Sequence, residues 1–478
     1  VFLLSSDGSM LRQNLRNTVS SMINRRRFLK GIAAAAVTPS VTTACGDARE
    51  TSRLVPDANR ILDLPEDFSY AIVSRAGDPM SDGLLVPTRH DGMAAFPADD
   101  GTIRLVCNHE LPPDWPEVRP FQERWQDLPE SMKSRFYDRG GDVTPGAGGT
   151  TTTIYNPATK ATERQFLSLG GTEYNCAGGA TPWGSWLSCE ECFEYEGSIR
   201  YFDRSARRDR KHGYVFEVSA YSDELVEAIP IKAMGRFEHE ACAVHEPTGI
   251  VYMTEDRHYG LFYRYIPDVP GKLVEGGLLQ ALVLRDRPSG RTHNWSSTPD
   301  VALNKPYKTA WVDVGNPDPE DNDLRLTGAK LGAATFARGE GLCEAGDRYA
   351  FTCTNGGRAQ QGQVFTYKPS PFEGTTAEQD EPGELMLIAE SDRDSLLQNA
   401  DNLTMAPWGD LIVCEDTPGH CGLVGIRPDG SQYALADNVY SDSELAGACF
   451  SPDGSILFVN VQHPGVTLAI TGPWPTPG

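Results

Sequence analysis

Three pairs of adjacent acids stand at one offset from a glycine. Gly184 precedes Glu190-Glu191 by six residues, Gly249 precedes Glu255-Asp256, and Gly409 precedes Glu415-Asp416. Carboxylates delivered in pairs to a common depth suit hard cations such as calcium. Between each glycine and its acids runs a short apolar segment that reads as a strand. Three more segments share the layout: Gly101 to Glu110, ending Cys107-Asn108-His109-Glu110; Gly346 to Asn355; and Gly454 to His463, ending Asn460-Val461-Gln462-His463. One Pro-x-Gly before a strand is an ordinary hairpin turn. Six such segments, three with acids in register, point to a repeat architecture whose strands deliver oxygen and imidazole groups to one place.

Other residues suited to chemistry lie just ahead of these turns. In the run Gly171 to Glu191, Cys176 sits among glycines shortly before Glu190 and Glu191. A thiolate close to carboxylates is unfavourable unless a cation lies among them, and thiolate plus carboxylate suits iron better than calcium alone. A lone cysteine is otherwise a small core residue. Glu238-His239-Glu240 follows, and in a strand the two glutamates share a face that His239 opposes. In Phe336-Ala-Arg-Gly-Glu-Gly341, Arg338 and Glu340 alternate onto one face. Such a pair forms either a plain salt bridge or a site where the guanidinium grips phosphate and the carboxylate binds metal. No Walker loop, dinucleotide fingerprint, zinc-protease helix or nucleophile elbow is present.

The elements that must position these residues are short strands. Glycines (47) and prolines (34) punctuate the whole of the 478 residues, and helical periodicity is scarce. Strand-like runs include Tyr70–Val73, Gly213–Val218, Leu261–Ile266 and Gln363–Tyr367, while Pro120–Tyr137 is the best helix candidate and 370–384 reads as a loop. The shortest turn-to-turn interval, Gly409 to Gly454, fits one four-stranded blade of roughly 40–50 residues, and the longer intervals call for loop insertions. The expected fold is all-β: a six-bladed β-propeller with loop insertions and a metal-binding central channel, one domain over 56–478.

The formal charge of −23, from 43 basic and 66 acidic residues, excludes nucleic acid as a partner. Asn24-Arg-Arg-Arg-Phe-Leu-Lys30 followed by a weakly apolar stretch has the form of a twin-arginine signal, so the expected partner is that export machinery and the expected location is the periplasm or beyond. Residues 1–55 are therefore read as signal and linker, with 1–21 ahead of Met22 as an upstream mis-start. Cys45, after Thr42-Thr43-Ala44, is a candidate lipid anchor. The 11 cysteines fix no disulfide pairing, and the single CxxC, Cys189 to Cys192, does not make a structural zinc site.

Together, the arginine leader, CNHE, NCAGGATPWGSWLSCEE, GRFEHEA, FARGEG, APWGDLIVCED and FVNVQHPG, in order over roughly 105–465, resemble the PhoX family of exported bacterial alkaline phosphatases. The resemblance implies a six-bladed propeller holding a mixed Fe(3+) and Ca(2+) cluster, hydrolysis of phosphate monoesters, and a metal-bridging oxygen as nucleophile. By position it implies Cys176, Glu191, Glu240 and Glu340 as metal ligands and Arg338 as the residue facing phosphate. Asn108, Glu110, Glu190, Glu255, Asp256, Glu415, Asp416 and Asn460 form a second tier of candidates. The chain carries Thr254-Glu-Asp-Arg-His258 where the family tends to have Asp-Asp-Glu, so the resemblance implies iron more firmly than calcium. The rival readings are a calcium propeller lactonase or phosphodiesterase-like hydrolase, and a non-catalytic metal-binding propeller.

Overall fold

Each of the six turn glycines has a left-handed φ, between 68 and 101°. That conformation carries little penalty without a Cβ, and it folds each inner strand back on its neighbour. The computed structural model describes residues 53–113, 116–201 and 204–476. The twin-arginine segment and Cys45 lie outside them. The inner strands are β1 (His90–Pro97), β2 (Asn175–Ala180), β3 (His239–His245), β4 (Gly339–Ala345), β5 (Ala400–Met405) and β6 (Leu445–Phe450). Each pairs antiparallel with the strand after its glycine: Ile103–His109, Ser185–Glu190, Ile250–Glu255, Arg348–Cys353, Leu411–Glu415 and Leu457–Val461. The six apolar segments expected from sequence are thus all second strands.

Further strands extend these hairpins outward into a propeller-like, all-β arrangement. Pro306–Asp313 pairs with both Gly277–Leu284 and Glu384–Glu390, welding the β3 and β4 sheets into one of nine strands. Ser69–Arg75, near the start of the described chain, pairs with Val466–Thr471 near its end, which ties the termini of the fold together. Around the middle, β1 packs on β2, β2 on β3, β3 on β4, β4 on β5, β5 on β6, and β6 back on β1. Residues just beyond the strand starts, from Gly92–Ala94 to Ala448–Cys449, line a cavity of about 230 Å³.

The core lies between sheets. Leu187, Val215, Phe237, Val251, Met253 and Tyr263 fill one interface, and Phe262, Phe336, Phe351, Phe365 and Tyr367 fill the next. These apolar residues alternate with outward or axial ones along each strand, as a two-sided sheet requires.

Some local expectations shift. The first described strand is Leu54–Val55, which lies before residue 56 and pairs with Leu62–Pro65. The segment Pro120–Tyr137 forms no continuous helix but a 3₁₀ turn, Gln122–Asp127, and a single α-turn, Glu130–Lys133. Pro129 interrupts it: the ring disfavours helical backbone at Leu128, which is extended at φ −68°, ψ 141°. The loop 370–384 contains a 3₁₀ turn, Thr376–Gln379.

Candidate metal centre

One irregularity recurs in all six inner hairpins. The register slips between His90 and Met93, Asn175 and Gly178, His239 and Cys242, Gly339 and Leu342, Ala400 and Leu403, and Ala446 and Cys449. A bulge leaves a residue out of the ladder and re-aims its side chain. The first residues so displaced are Asp91, Cys176, Glu240, Glu340, Asp401 and Gly447. In five of six hairpins the bulge therefore carries a potential metal ligand, followed by a small residue or, after Asp401, by Asn402.

These residues converge. Ligand atoms of Cys176, Glu191 and Glu240 lie within 4.8 Å of one another, as do those of Glu240, Glu340 and Asp401, and those of Asp91, Glu110 and Glu444. Glu240 belongs to two of the three groups. The Cys176 Sγ rests 3.3 Å from the His239 carbonyl. Gln462 Nε2 donates to Asp91 Oδ2 (3.0 Å) and Glu110 Oε2 (2.9 Å), holding the third group together. Arg89 Nη1 in turn donates to Gln462 Oε1 at 2.9 Å.

Arg338 meets this cluster at its edge. Its φ is +55°, its amide donates to the Arg257 carbonyl, and its own carbonyl accepts from Thr354. The guanidinium binds Asp256 through Nε (2.6 Å) and Nη2 (2.5 Å), and Nη2 also lies 2.7 Å from Glu340 Oε1. Thr354 Oγ1 donates to that same Glu340 oxygen at 2.6 Å. So the Arg338 and Glu340 side chains do meet, although one comes from a left-handed residue and the other from a bulge rather than from alternate positions of a regular strand.

The electrostatics call for cations. Burial pushes the Cys176 thiol well up, and Glu240 and Glu191 push it further. Burial first and neighbouring acids second raise Asp91, Glu191, Glu240, Asp401 and Glu444; burial also raises Glu110, against the pull of Arg89 and with help from Asp416 and Asp256, and Glu340 rises to about 8. Left alone, such a set would hold protons. Two or more multivalent cations would let it ionise, and one thiolate with carboxylates beside two all-oxygen groups is a donor set that fits a mixed soft and hard metal content.

The second-tier residues divide by one position in sequence. The first acid of each pair is bonded within its own sheet. Glu190 accepts from the amides of Gly213 (2.9 Å) and Tyr214 (3.2 Å) and pairs with His212 Nδ1 at 2.6 Å. Glu255 accepts from the Leu261 amide and the Tyr263 hydroxyl, both at 3.0 Å, and Glu415 from the amides of Gln398 and Gly422. The second acids turn inward: Glu191 joins the thiol group, Asp256 holds Arg338, and Asp416 lies close enough to Glu110 and Glu444 to raise both. Asn108 donates to the Cys176 and Ala177 carbonyls, and Asn460 donates to the Asp91 carbonyl. Both asparagines brace the backbone under a bulge rather than face the cluster. Glu238 is held by Asn322 and Arg257, away from it.

Sequence reasoning missed Asp91 and Glu444, whereas Asp401-Asn402 and the run Asn460-Val461-Gln462-His463 stand out there only as groups that offer oxygen and imidazole ligands, with no place in the site assigned. Asp91 in His-Asp-Gly looks like a turn signal. The position it shares with the other bulge residues, six to ten residues ahead of a repeat glycine, is the available clue. Among the described residues all cysteines are free; Cys189 faces Cys242 at 3.4 Å while Cys192 lies by the Glu173 carbonyl, so the CxxC thiols have different neighbours.

Fold and site together define a propeller-like β-protein with a buried ring of acids and one thiol at one end of its inner strands. Residues 50–465 match the family Alkaline phosphatase PhoX, and the chain belongs to that family. It is accordingly a phosphatase, a hydrolase of phosphoesters. Among solved structures it is similar to Pseudomonas fluorescens PhoX in complex with vanadate, a transition state analogue, at 16% identity and a TM-score of 0.62, covering 88% of this chain and 98% of that one. It also resembles the β-propeller domain of Myceliophteria thermophila Cps50 (Swd1), at 10% identity, TM-score 0.39 and 84% and 100% coverage. A Xanthomonas campestris gluconolactonase aligns at 12% identity, TM-score 0.36 and 89% and 99% coverage. No curated protein matches the chain. Among the described residues no helix is long and apolar enough to cross a membrane.

Proposed function

We propose that this is an exported, six-bladed metallo-propeller that hydrolyses phosphate monoesters with an iron and calcium cluster. The closed cycle of β1 to β6 supports six blades. The observation that carries the function is the set of three ligand groups, two of them sharing Glu240, with Arg338 paired to Glu340 at their edge. Cys176, Glu191 and Glu240 would hold Fe(3+), while Asp91, Glu110 and Glu444, and Glu240, Glu340 and Asp401, would hold Ca(2+). What such cations supply when bound is Lewis acidity toward phosphoryl oxygens.

The protein's own residues do the rest. Asp256 fixes the Arg338 plane through Nε and Nη2, which leaves the Nη1 edge for a phosphoryl oxygen. An arginine held in advance loses little freedom when charge develops on the substrate, so its stabilisation is greatest in the transition state. Gln462, Thr354 and the first acids of the pairs keep the ligands in place before substrate arrives.

Cys176 argues against a calcium-only lactonase, which has no use for a thiolate. Metal analysis of the purified protein, paired with hydrolysis of p-nitrophenyl phosphate and a Cys176→Ala variant, tests the proposal. We expect iron and calcium in the wild type and loss of iron and activity together in the variant. Calcium alone, with activity indifferent to Cys176, would sink it.

A further inference from the structure

A cluster of rings stands beside Arg338 that the metal centre does not use. The short strand His258–Gly260 pairs with Phe336–Ala337, and Arg338 is the next residue of that partner. The register of this ladder shifts between His258 and Gly260, so Tyr259 is bulged out of it, with a φ of +63°. The residue is 51% exposed. A left-handed tyrosine is uncommon and costs about 1 kcal/mol or more, and such outliers collect at ligand sites.

Tyr259 is not loose. Its ring stands edge-on to His293, with centroids 5.4 Å apart, and to Trp295 at 5.3 Å. His293 and Trp295 are themselves 4.2 Å apart. Trp295 Nε1 donates to the Asn355 carbonyl at 2.7 Å, and Asn355 follows Thr354, which holds Glu340. One side of the ring cluster is therefore tied to the backbone of Arg338 and the other to the ligand layer. Edge-on contacts fix a ring while leaving its exposed face free for stacking.

We infer that Tyr259, supported by His293 and Trp295, is the binding wall for the leaving group, and that the preferred substrates are phosphomonoesters whose leaving group carries a planar aromatic ring. The inference rests on the phosphatase reading above. A phosphoryl group against Arg338 has acids on its inner side, where an uncharged ring finds no partner. The ester substituent must point outward, and the ring cluster beside Arg338 lies on that course. Aryl esters and nucleoside monophosphates share the required chemistry; they differ in how far the ring stands from phosphorus.

The test compares kcat/KM for phenyl phosphate, adenosine 5′-monophosphate and glycerol 2-phosphate in the metal-replete wild type, Tyr259→Ala and Tyr259→Phe. Loss of one stacking ring should lower kcat/KM for at least one aromatic ester by about 5- to 30-fold, mainly through KM, with a several-fold smaller loss on glycerol 2-phosphate. Tyr259→Phe, which keeps the ring, should retain the preference. Which aromatic ester responds more distinguishes a ring next to phosphorus from one beyond a sugar. Equal losses on all three esters, or no loss on any, would overturn the inference. If the wild type hydrolyses no phosphomonoester, the phosphatase reading fails; calorimetric binding of phenyl phosphate against glycerol 2-phosphate then decides the wall, and binding without preference overturns it.

Discussion

Glu340→Gln should reverse the sign of its effect on stability according to whether cations are bound. Burial raises the Glu340 carboxyl from 4.5 to about 8, and Asp256 adds to the rise, more than Arg338 and Thr354 offset. A group whose folded value is raised binds more protons folded than unfolded. Stability is therefore lost as pH climbs from the unfolded to the folded value. At 1.36 kcal/mol per unit, the metal-free protein should lose up to about 5 kcal/mol between about pH 4.5 and pH 8 on this account. Gln removes the charge, still accepts from the Thr354 hydroxyl, and leaves Arg338 its two bonds to Asp256. The metal-free variant should thus be several kcal/mol more stable than wild type at about pH 8 and within about 1 kcal/mol of it at about pH 5. In metal-replete protein the same change should remove a proposed ligand and lower stability, because binding to the folded state contributes to it. Urea denaturation of chelator-treated and metal-replete protein at both pH values measures all four quantities. A metal-free variant that is destabilised at the higher pH, or shifted equally at both, would refute the claim that like charge and burial dominate this cluster.

Three further outcomes are expected. Glu190→Gln removes a charge partner from fully buried His212, which burial opposes but Glu190 and Glu173 raise to about 10. The loss should be of the order of 3–5 kcal/mol at neutral pH by urea unfolding. Because a raised histidine stabilises below its unfolded value and progressively less up to its folded one, the wild type's decline between about pH 6.5 and 10 should flatten in the variant. Gly447→Ala places a Cβ 2.3 Å from the Asp91 carbonyl oxygen at φ +62°, and should cost about 1–3 kcal/mol, whereas Gly346→Ala, left-handed but open around the Cβ, should cost about 1 kcal/mol or less. Arg338→Lys, which cannot make the paired contact with Asp256, should lower kcat for p-nitrophenyl phosphate by about 100-fold while the metal content stays at wild-type level.

The turns were the legible part of this chain. A glycine with left-handed φ leaves a mark at one position, and all six second strands follow such a mark. The acid pairs were visible too, but their division was not. Alternation says that Glu190 and Glu191 face opposite ways; it does not say which way is inward, and only the sheet's neighbours decide that. The bulges were invisible for a related reason. A slipped register leaves composition and alternation untouched, so Asp91 before Gly92 reads as a turn residue and Asp401 before Asn402 as an oxygen ligand of unassigned aim, while both lie in bulges within paired strands. Glu444 precedes its strand altogether, and Gln462 acts through two acids distant in sequence.

The bulge explains how one backbone device can build a site of mixed chemistry. Every copy turns one residue out of the ladder at the same height, and the cyclic packing of β1 to β6 brings those residues toward one another. Geometry is then common to all copies, and only residue type differs. A thiol at the second copy, with Glu191 beside it, makes that side softer than the acids at the first, third, fourth and fifth. The sixth copy shows the rule by its exception. Its bulge residue is Gly447, where any side chain would strike the Asp91 carbonyl and Asn460. Glu444, ahead of the strand, and Gln462, beyond the partner strand, reach the site in its place. The third ligand group therefore depends on two residues side by side at the open end of one hairpin, Glu444 and Gln462, whereas all the ligands of the Glu240–Glu340–Asp401 group and two of the thiol group's three come from bulges. Disturbing the sixth copy should loosen the Asp91–Glu110–Glu444 group before either of the groups built on Glu240.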